Sequence, residues 1–149
     1  MTRRESREEA LSLIFEQDFD LDRTEEEILD AAMEIREEKI SKFAKELFLK
    51  TNENRGDIDE KIARAAENWK FERIGKVTLA ILRLAGCEID FFPEIPVEIT
   101  VNEALELTRK FDDEKSVGFV NGVLGNYAKG VEKPLAKKKT ETEENAEEE

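Results

Sequence analysis

PVEITVNEALELTRKFDDEKSVGFVNGVLGNY, residues 96–127, decides the fold of this chain. It holds two helical phrases joined at the polar run Asp112-Asp113-Glu114-Lys115. In the first, Val101, Ala104, Leu105, Thr108 and Phe111 fall on one helical face. In the second, Phe119, Val120, Val123, Leu124 and Tyr127 do the same, so Phe119 reads as core. Ser116 stands where an N-cap would, its hydroxyl placed to accept from the open N–H groups of the next turn. Gly122 falls inside the second helix, where glycine costs about 1 kcal/mol against alanine. It predicts that another backbone packs close. Val97–Val101 alternates as a strand would, but it follows Pro96 and runs into the helical phrase, so it reads as a helix start.

Upstream, Val77 to Phe92 is apolar nearly all round, the pattern of a helix buried on most sides. Arg83 interrupts it and is expected to snorkel or to pair with an acidic neighbour such as Glu88 or Glu103. Pro93 and Pro96 force an extended link after it. Further back, Asn54-Arg55-Gly56 reads as a helix stop and Asp57 with Glu60 as the next start. That next helix has a core face of Ile58, Ile62, Ala65 or Ala66, and Trp69. Ile40, Phe43, Ala44, Leu47 and Phe48 give another stripe. Thr24 and Glu27 form a capping box that opens a helix with Ile28, Ala31, Ala32 and Ile35 inside. Leu11, Ile14 and Phe15 give the first helix its buried face. The expected fold is all-α, about seven helices in an N-terminal and a C-terminal bundle on one shared core. Residues 1–132 form the domain, and 133–149, ending KTETEENAEEE, read as a disordered charged tail.

At 149 residues there is room for one domain with a sizeable core. Hydrophobic residues make up 39% and charged residues 41%, which predicts a modest core under a densely charged surface. No apolar run approaches 18 residues and no signal-peptide pattern opens the chain, so a soluble, cytoplasmic protein is expected. The single cysteine, Cys87, can form no internal disulfide and fits a reducing compartment. The absence of histidine removes the commonest general base and metal ligand. With no cysteine pair, no P-loop and no G-x-G-x-x-G, the expectation is a protein without catalytic residues, metal or cofactor.

The formal net charge of −13 argues against general nucleic-acid binding, whose affinity comes mostly from cations on phosphates. Residues 137–149 carry −3 of it, which leaves −10 on residues 1–136. Any RNA contact must therefore be a small basic island. Arg3, Arg4 and Arg7 supply one, with Arg3 and Arg7 a helical turn apart and able to offer guanidinium forks to consecutive phosphates. On composition alone the favoured reading is a solubilising helix start, with Arg3 and Arg7 paired with Glu8 and nearby carboxylates.

The phrase VNEALELTRKF, the acidic break after it and S-x-x-FVNGVL resemble the C-terminal signature of the NusB-type transcription antitermination factors. Trp69-x-x-x-Arg73, followed by AILRLA at 80–85 and Glu88, is similar to that family's middle signature. Arg3-Arg4-x-x-Arg7-Glu8-x-Ala10-Leu11 resembles its arginine-rich first helix, so the resemblance spans residues 3–130. It implies an RNA-binding adaptor. The RNA would be a short single-stranded boxA-type element of ribosomal RNA leader transcripts, bound together with small ribosomal protein S-ten and tethered to elongating RNA polymerase. It also implies RNA contacts at Arg3, Arg4 and Arg7. Lys115 and Ser116, at the start of the last helix, join them, and the helix N-terminus there favours phosphate. Three positions depart from the family pattern: Glu5, where the basic run commonly continues, and Val117 and Gly118, where polar or basic residues are common. They favour an alternative, a protein-interaction module of the same fold, homodimeric for instance, with weak or lost RNA binding. A NusB-like domain of the kind fused to RNA methyltransferases is a third reading, although no methyltransferase half follows.

Overall fold

The structure, a computed structural model, describes residues 1–36 and 39–130, with the backbone alone at Arg36. The expected tail at 133–149 lies outside the described residues, as does part of the Glu34–Lys39 charge run. Among the described residues there are seven α-helices and no strand: α1 Arg3–Phe19, α2 Glu25–Arg36, α3 Lys42–Glu53, α4 Arg55–Ala65, α5 Lys76–Phe91, α6 Val97–Phe111 and α7 Glu114–Ala128. A short 3-10 turn, Phe71–Arg73, leads into α5.

Helix α5 is the axis. Its residues Thr78 through Ile89 are buried without a break, and it packs on α1, α3, α4, α6 and α7. Helices α1, α2 and α3 pack together on one side, and α4, α6 and α7 on the other, over one continuous apolar core. Local chemistry sets the helix ends. Thr24 and Glu27 make the expected reciprocal cap, with Thr24 Oγ1 accepting from Glu27 N at 3.1 Å and Glu27 Oε1 accepting from Thr24 N at 2.8 Å. Asn54 is the only residue between α3 and α4, so the second helix begins two residues earlier than Asp57. Val97–Val101 is helical, as its position after Pro96 requires.

Several side chains sit elsewhere than periodicity placed them. Ile35 is 83% exposed, because α2 lies at the edge of the fold and buries only Ile28, Leu29 and Ala32 fully. Trp69 is 57% exposed; α4 ends at Ala65, and the chain has left the helix before it reaches the tryptophan. On α6 the buried stripe is Thr100, Ala104, Leu107 and Thr108, rotated from the expected one, and Val101 and Leu105 are half-buried. Thr108 is tolerated there because its hydroxyl donates to the Ala104 carbonyl at 2.8 Å. Arg83 is buried and paired, but with other partners than Glu88 or Glu103. Its guanidinium grips both Asp59 oxygens at 2.7 and 2.9 Å, and Asp18 at 2.7 Å.

The expected close approach at Gly122 does not occur, since a Cβ there would meet nothing within 4 Å. The glycine that makes room is Gly86 on α5. A Cβ at that position would lie 2.9 Å from the Tyr127 ring and hydroxyl and 3.2 Å from Ile58 Cγ2. Tyr127 is thereby seated over α5 and donates its hydroxyl to Asp90 at 2.7 Å. Burial, then the Asp90 carboxylate, raises its pKa. Two alanine substitutions should therefore move stability in opposite directions. Gly86→Ala should cost about 1–2 kcal/mol through overpacking, despite its better helix propensity. Gly122→Ala, on an exposed helix face, should gain up to about 1 kcal/mol. Urea unfolding of both variants with unchanged m-values is the check; a shift of the same sign in both would contradict the packing described.

Candidate nucleic-acid interface

The start of α1 is built by its cap. Thr2 Oγ1 accepts from Glu5 N at 3.0 Å and Glu5 Oε1 accepts from Thr2 N at 2.8 Å, a capping box. These Thr2 bonds hold the Glu5 carboxyl below its usual pKa. Glu5, read from sequence as a gap in a basic run, is therefore spent on the helix end. Its charge also suits the positive end of the helix dipole.

The three arginines that follow do not form one exposed island. Arg4 is exposed and forks onto Glu103 of α6, with Nε at 2.9 Å and Nη2 at 2.7 Å from its two oxygens. Arg3 is half-buried, its guanidinium carbon 3.9 Å from the centre of the Phe43 ring. Arg7 is the correction. It is 1% exposed and turned inward, with Nε 2.6 Å and Nη2 2.9 Å from the two oxygens of the fully buried Glu88. Thr100 donates a further bond to the same carboxylate at 2.9 Å, and Glu103 lies 3.9 Å from Arg7 Nη1. The i, i+4 spacing that placed Arg7 beside Arg3 is real. Sequence could not show that a carboxylate 81 residues away would claim it.

The start of α7, where the second site is expected, has a different cap. Asp113, not Ser116, is the N-cap: its carboxylate accepts from Ser116 N at 3.0 Å, and the Ser116 hydroxyl lies 3.3 Å from the same oxygen. The Asp-Asp pair before the helix outcompeted the serine because an aspartate three residues back reaches that N–H directly. Lys115 is exposed on the first turn. Phe119, one turn on, is half-buried and packs edge-on against Trp69, with ring centroids 5.4 Å apart. The two sites are linked by α6, whose Glu103 holds Arg4 and whose Arg109 reaches within 3.8 Å of Glu114. Arg109 and Lys110, in RKF directly before the acidic break, stand at the C-terminal end of α6.

The interior offers little for covalent chemistry. Burial pushes the Cys87 thiol up to about 12, so it stays protonated. Among the described residues no cluster of three or more His, Cys, Asp or Glu side chains could hold a metal, and no helix is long and apolar enough to cross a membrane.

A family model described as the NusB family matches residues 4–129. The chain belongs to the NusB family of transcription antitermination factors. The transcription antitermination protein NusB of Bacillus subtilis (strain 168) is 40% identical over 132 residues, covering 89% of this chain and 98% of that protein. The NusB of Natranaerobius thermophilus is 39% identical over 137 residues, covering 89% and 99%. Among solved structures, a T. maritima NusB superposes with a TM-score of 0.76 at 34% identity, covering 95% of this chain and 98% of that one. A chain from a complex of antitermination factors NusB and NusE with double-stranded RNA gives a TM-score of 0.76 at 25% identity, covering 86% and 96%. The all-α, two-bundle architecture is thus the NusB fold.

Within that NusB fold the arginines separate into a strut and a surface pair, and mutation should show it. Arg7→Ala leaves Glu88 buried without its partner and should cost about 3–5 kcal/mol. Arg3→Ala and Arg4→Ala should each stay within about 1 kcal/mol, as exposed or half-exposed interactions do. Chemical denaturation of the three single variants is the check. Equal, small losses at all three would mean that Arg7 is solvent-facing after all.

Proposed function

We propose that this chain binds a short single-stranded boxA-type RNA of ribosomal RNA leader transcripts together with small ribosomal protein S-ten, and tethers that RNA to elongating RNA polymerase. The observation that carries the reading is the match to the NusB family over residues 4–129. It is supported by the likeness to a NusB solved with NusE, the antitermination guise of S-ten, and RNA. Arg3 and Arg4 at the start of α1, and Lys115 with Ser116 at the start of α7, are the RNA contacts. Arg7 serves them from behind, by fixing α1 against α5.

Holding RNA near polymerase requires no bond to be made or broken, only two binding events on one body. The charge balance says why a partner is needed. Residues 1–136 carry a net −10, and repulsion from that surface acts over about 8 Å at physiological salt. A basic ribosomal protein docked beside the RNA would offset the repulsion and add phosphate contacts. RNA and partner should therefore bind with positive coupling of about 1–3 kcal/mol, and by linkage each must tighten the other by the same factor.

Titration of a boxA-type RNA with zero and saturating S-ten, with the reverse titration alongside, measures this. Affinities that match in both arms would remove the adaptor mechanism. The reading would then pass to the protein-interaction module, for which self-association of the purified chain is the first test.

A further inference from the structure

We propose that the groove between α1 and α6 is a phosphate-binding segment in its own right, with Arg109 and Lys110 as its contacts, carrying one RNA strand from Arg4 to the start of α7. This rests on the RNA-binding reading above and names residues that reading does not include. The groove encloses about 290 Å³ and is lined by Arg4, Arg109 and Lys110 together with Glu8, Glu103 and Glu106. Every cation in it is held by a carboxylate of the protein itself. Arg4 is on Glu103 at 2.7 Å, Lys110 on Glu8 at 2.9 Å and Arg109 on Glu106 at 2.7 Å.

These pairs differ in kind from Arg7–Glu88. The Lys110 side chain is 60% exposed and that of Arg109 43%, so both cations are reachable from solvent, and pairs of this kind contribute little to stability. A phosphate oxygen can take the place of Glu8 or Glu106 with a charge-assisted bond to the same cation, while the released carboxylate returns to solvent. Cations and carboxylates are equal in number here, on a body that is otherwise strongly acidic. The groove is thus a neutral lane in a repulsive surface.

Its ends are the two sites already described. At one end Glu103 holds Arg4; at the other Arg109 Nε lies 3.8 Å from Glu114, the residue before Lys115. Glu103 to Arg109 is six residues of helix, about 9 Å at 1.5 Å per residue, within the span of a few nucleotides. Without the groove the α1 and α7 sites would be two isolated contacts. With it they form one track. Glu8 and Glu106 then act as a gate: they mask the cations, and RNA must displace them.

The test is a salt series with a boxA-type single-stranded RNA and saturating S-ten. Arg109→Ala/Lys110→Ala should weaken binding several-fold at low salt and lower the log–log salt slope by about 0.7 for each lost contact. Glu8→Gln/Glu106→Gln should do the reverse, tightening binding at low salt and converging with wild type as salt screens the difference. Arg109→Lys/Lys110→Arg should keep the wild-type slope. Lys45→Ala/Arg64→Ala, which removes the same charge from α3 and α4, should leave the slope unchanged. If Arg3→Ala/Arg4→Ala lowers the slope and Arg109→Ala/Lys110→Ala does not, the groove is excluded and the RNA-binding reading stands. If wild type binds no RNA even with S-ten, both fall.

Discussion

A carboxylate with no water access, Glu88, is the constraint on which this molecule depends. It is 0% exposed in the last turn of the central helix, and an ion so placed is tolerated only when its oxygens are fully engaged. Arg7 supplies two bonds from α1 and Thr100 a third from α6. Three helices, α1, α5 and α6, are therefore fixed by one group. The same logic recurs earlier on α5. There Arg83 holds Asp59 of α4 and Asp18 of α1, and Asp18 is shared with Arg55. Helix α1 is thus bolted to α5 near both its ends by ion pairs, with Ala10, Leu11, Leu13 and Ile14 packed between. Pairs of this kind fix position more than they add stability, since hydrophobic groups of the same shape would often do as well.

Position is what an RNA-binding surface on an acidic protein requires. With α1 clamped through Arg7, Arg3 and Arg4 are presented one turn earlier, and Arg4 faces α6. Helix α6 in turn leads through Asp112 and Asp113 into the first turn of α7, where Thr78 of α5 bonds Asp112 and fixes the corner. Arg3, Arg4, Arg109 and Lys110 on this face are already paired or packed within the protein, while Lys115 is exposed. Binding at Arg4, Arg109 and Lys110 would accordingly be an exchange of partners. Such an exchange makes affinity depend on the salt present.

Much of the fold was legible because its signals are local. Apolar periodicity located α5 and α7, the Thr24–Glu27 spacing fixed the start of α2, and Pro96 marked where α6 begins. What was not legible is non-local. No spacing rule says that Arg7 meets Glu88, that Arg83 passes over Glu88 for Asp59 and Asp18, or that Tyr127 needs the glycine at 86. Trp69 and Ile35 were misread for a related reason: a helical pattern was extended past the point where the core stops. The candidate site shows both sides of this. Arg4 and Lys115 are exposed and Arg3 is half-buried. Arg7 looked the same in sequence and went inward, because charge alone does not tell a ligand contact from a strut.

The most direct test of this account is a double-mutant cycle between positions 7 and 88, read by urea denaturation. Arg7→Met and Glu88→Leu should each be strongly destabilising, since each leaves the other charge buried alone. The double variant should recover most of that loss, giving a large favourable interaction term. Losses that simply add, with no interaction between the two sites, would contradict the claim that this ion pair organises the fold and holds α1 in place.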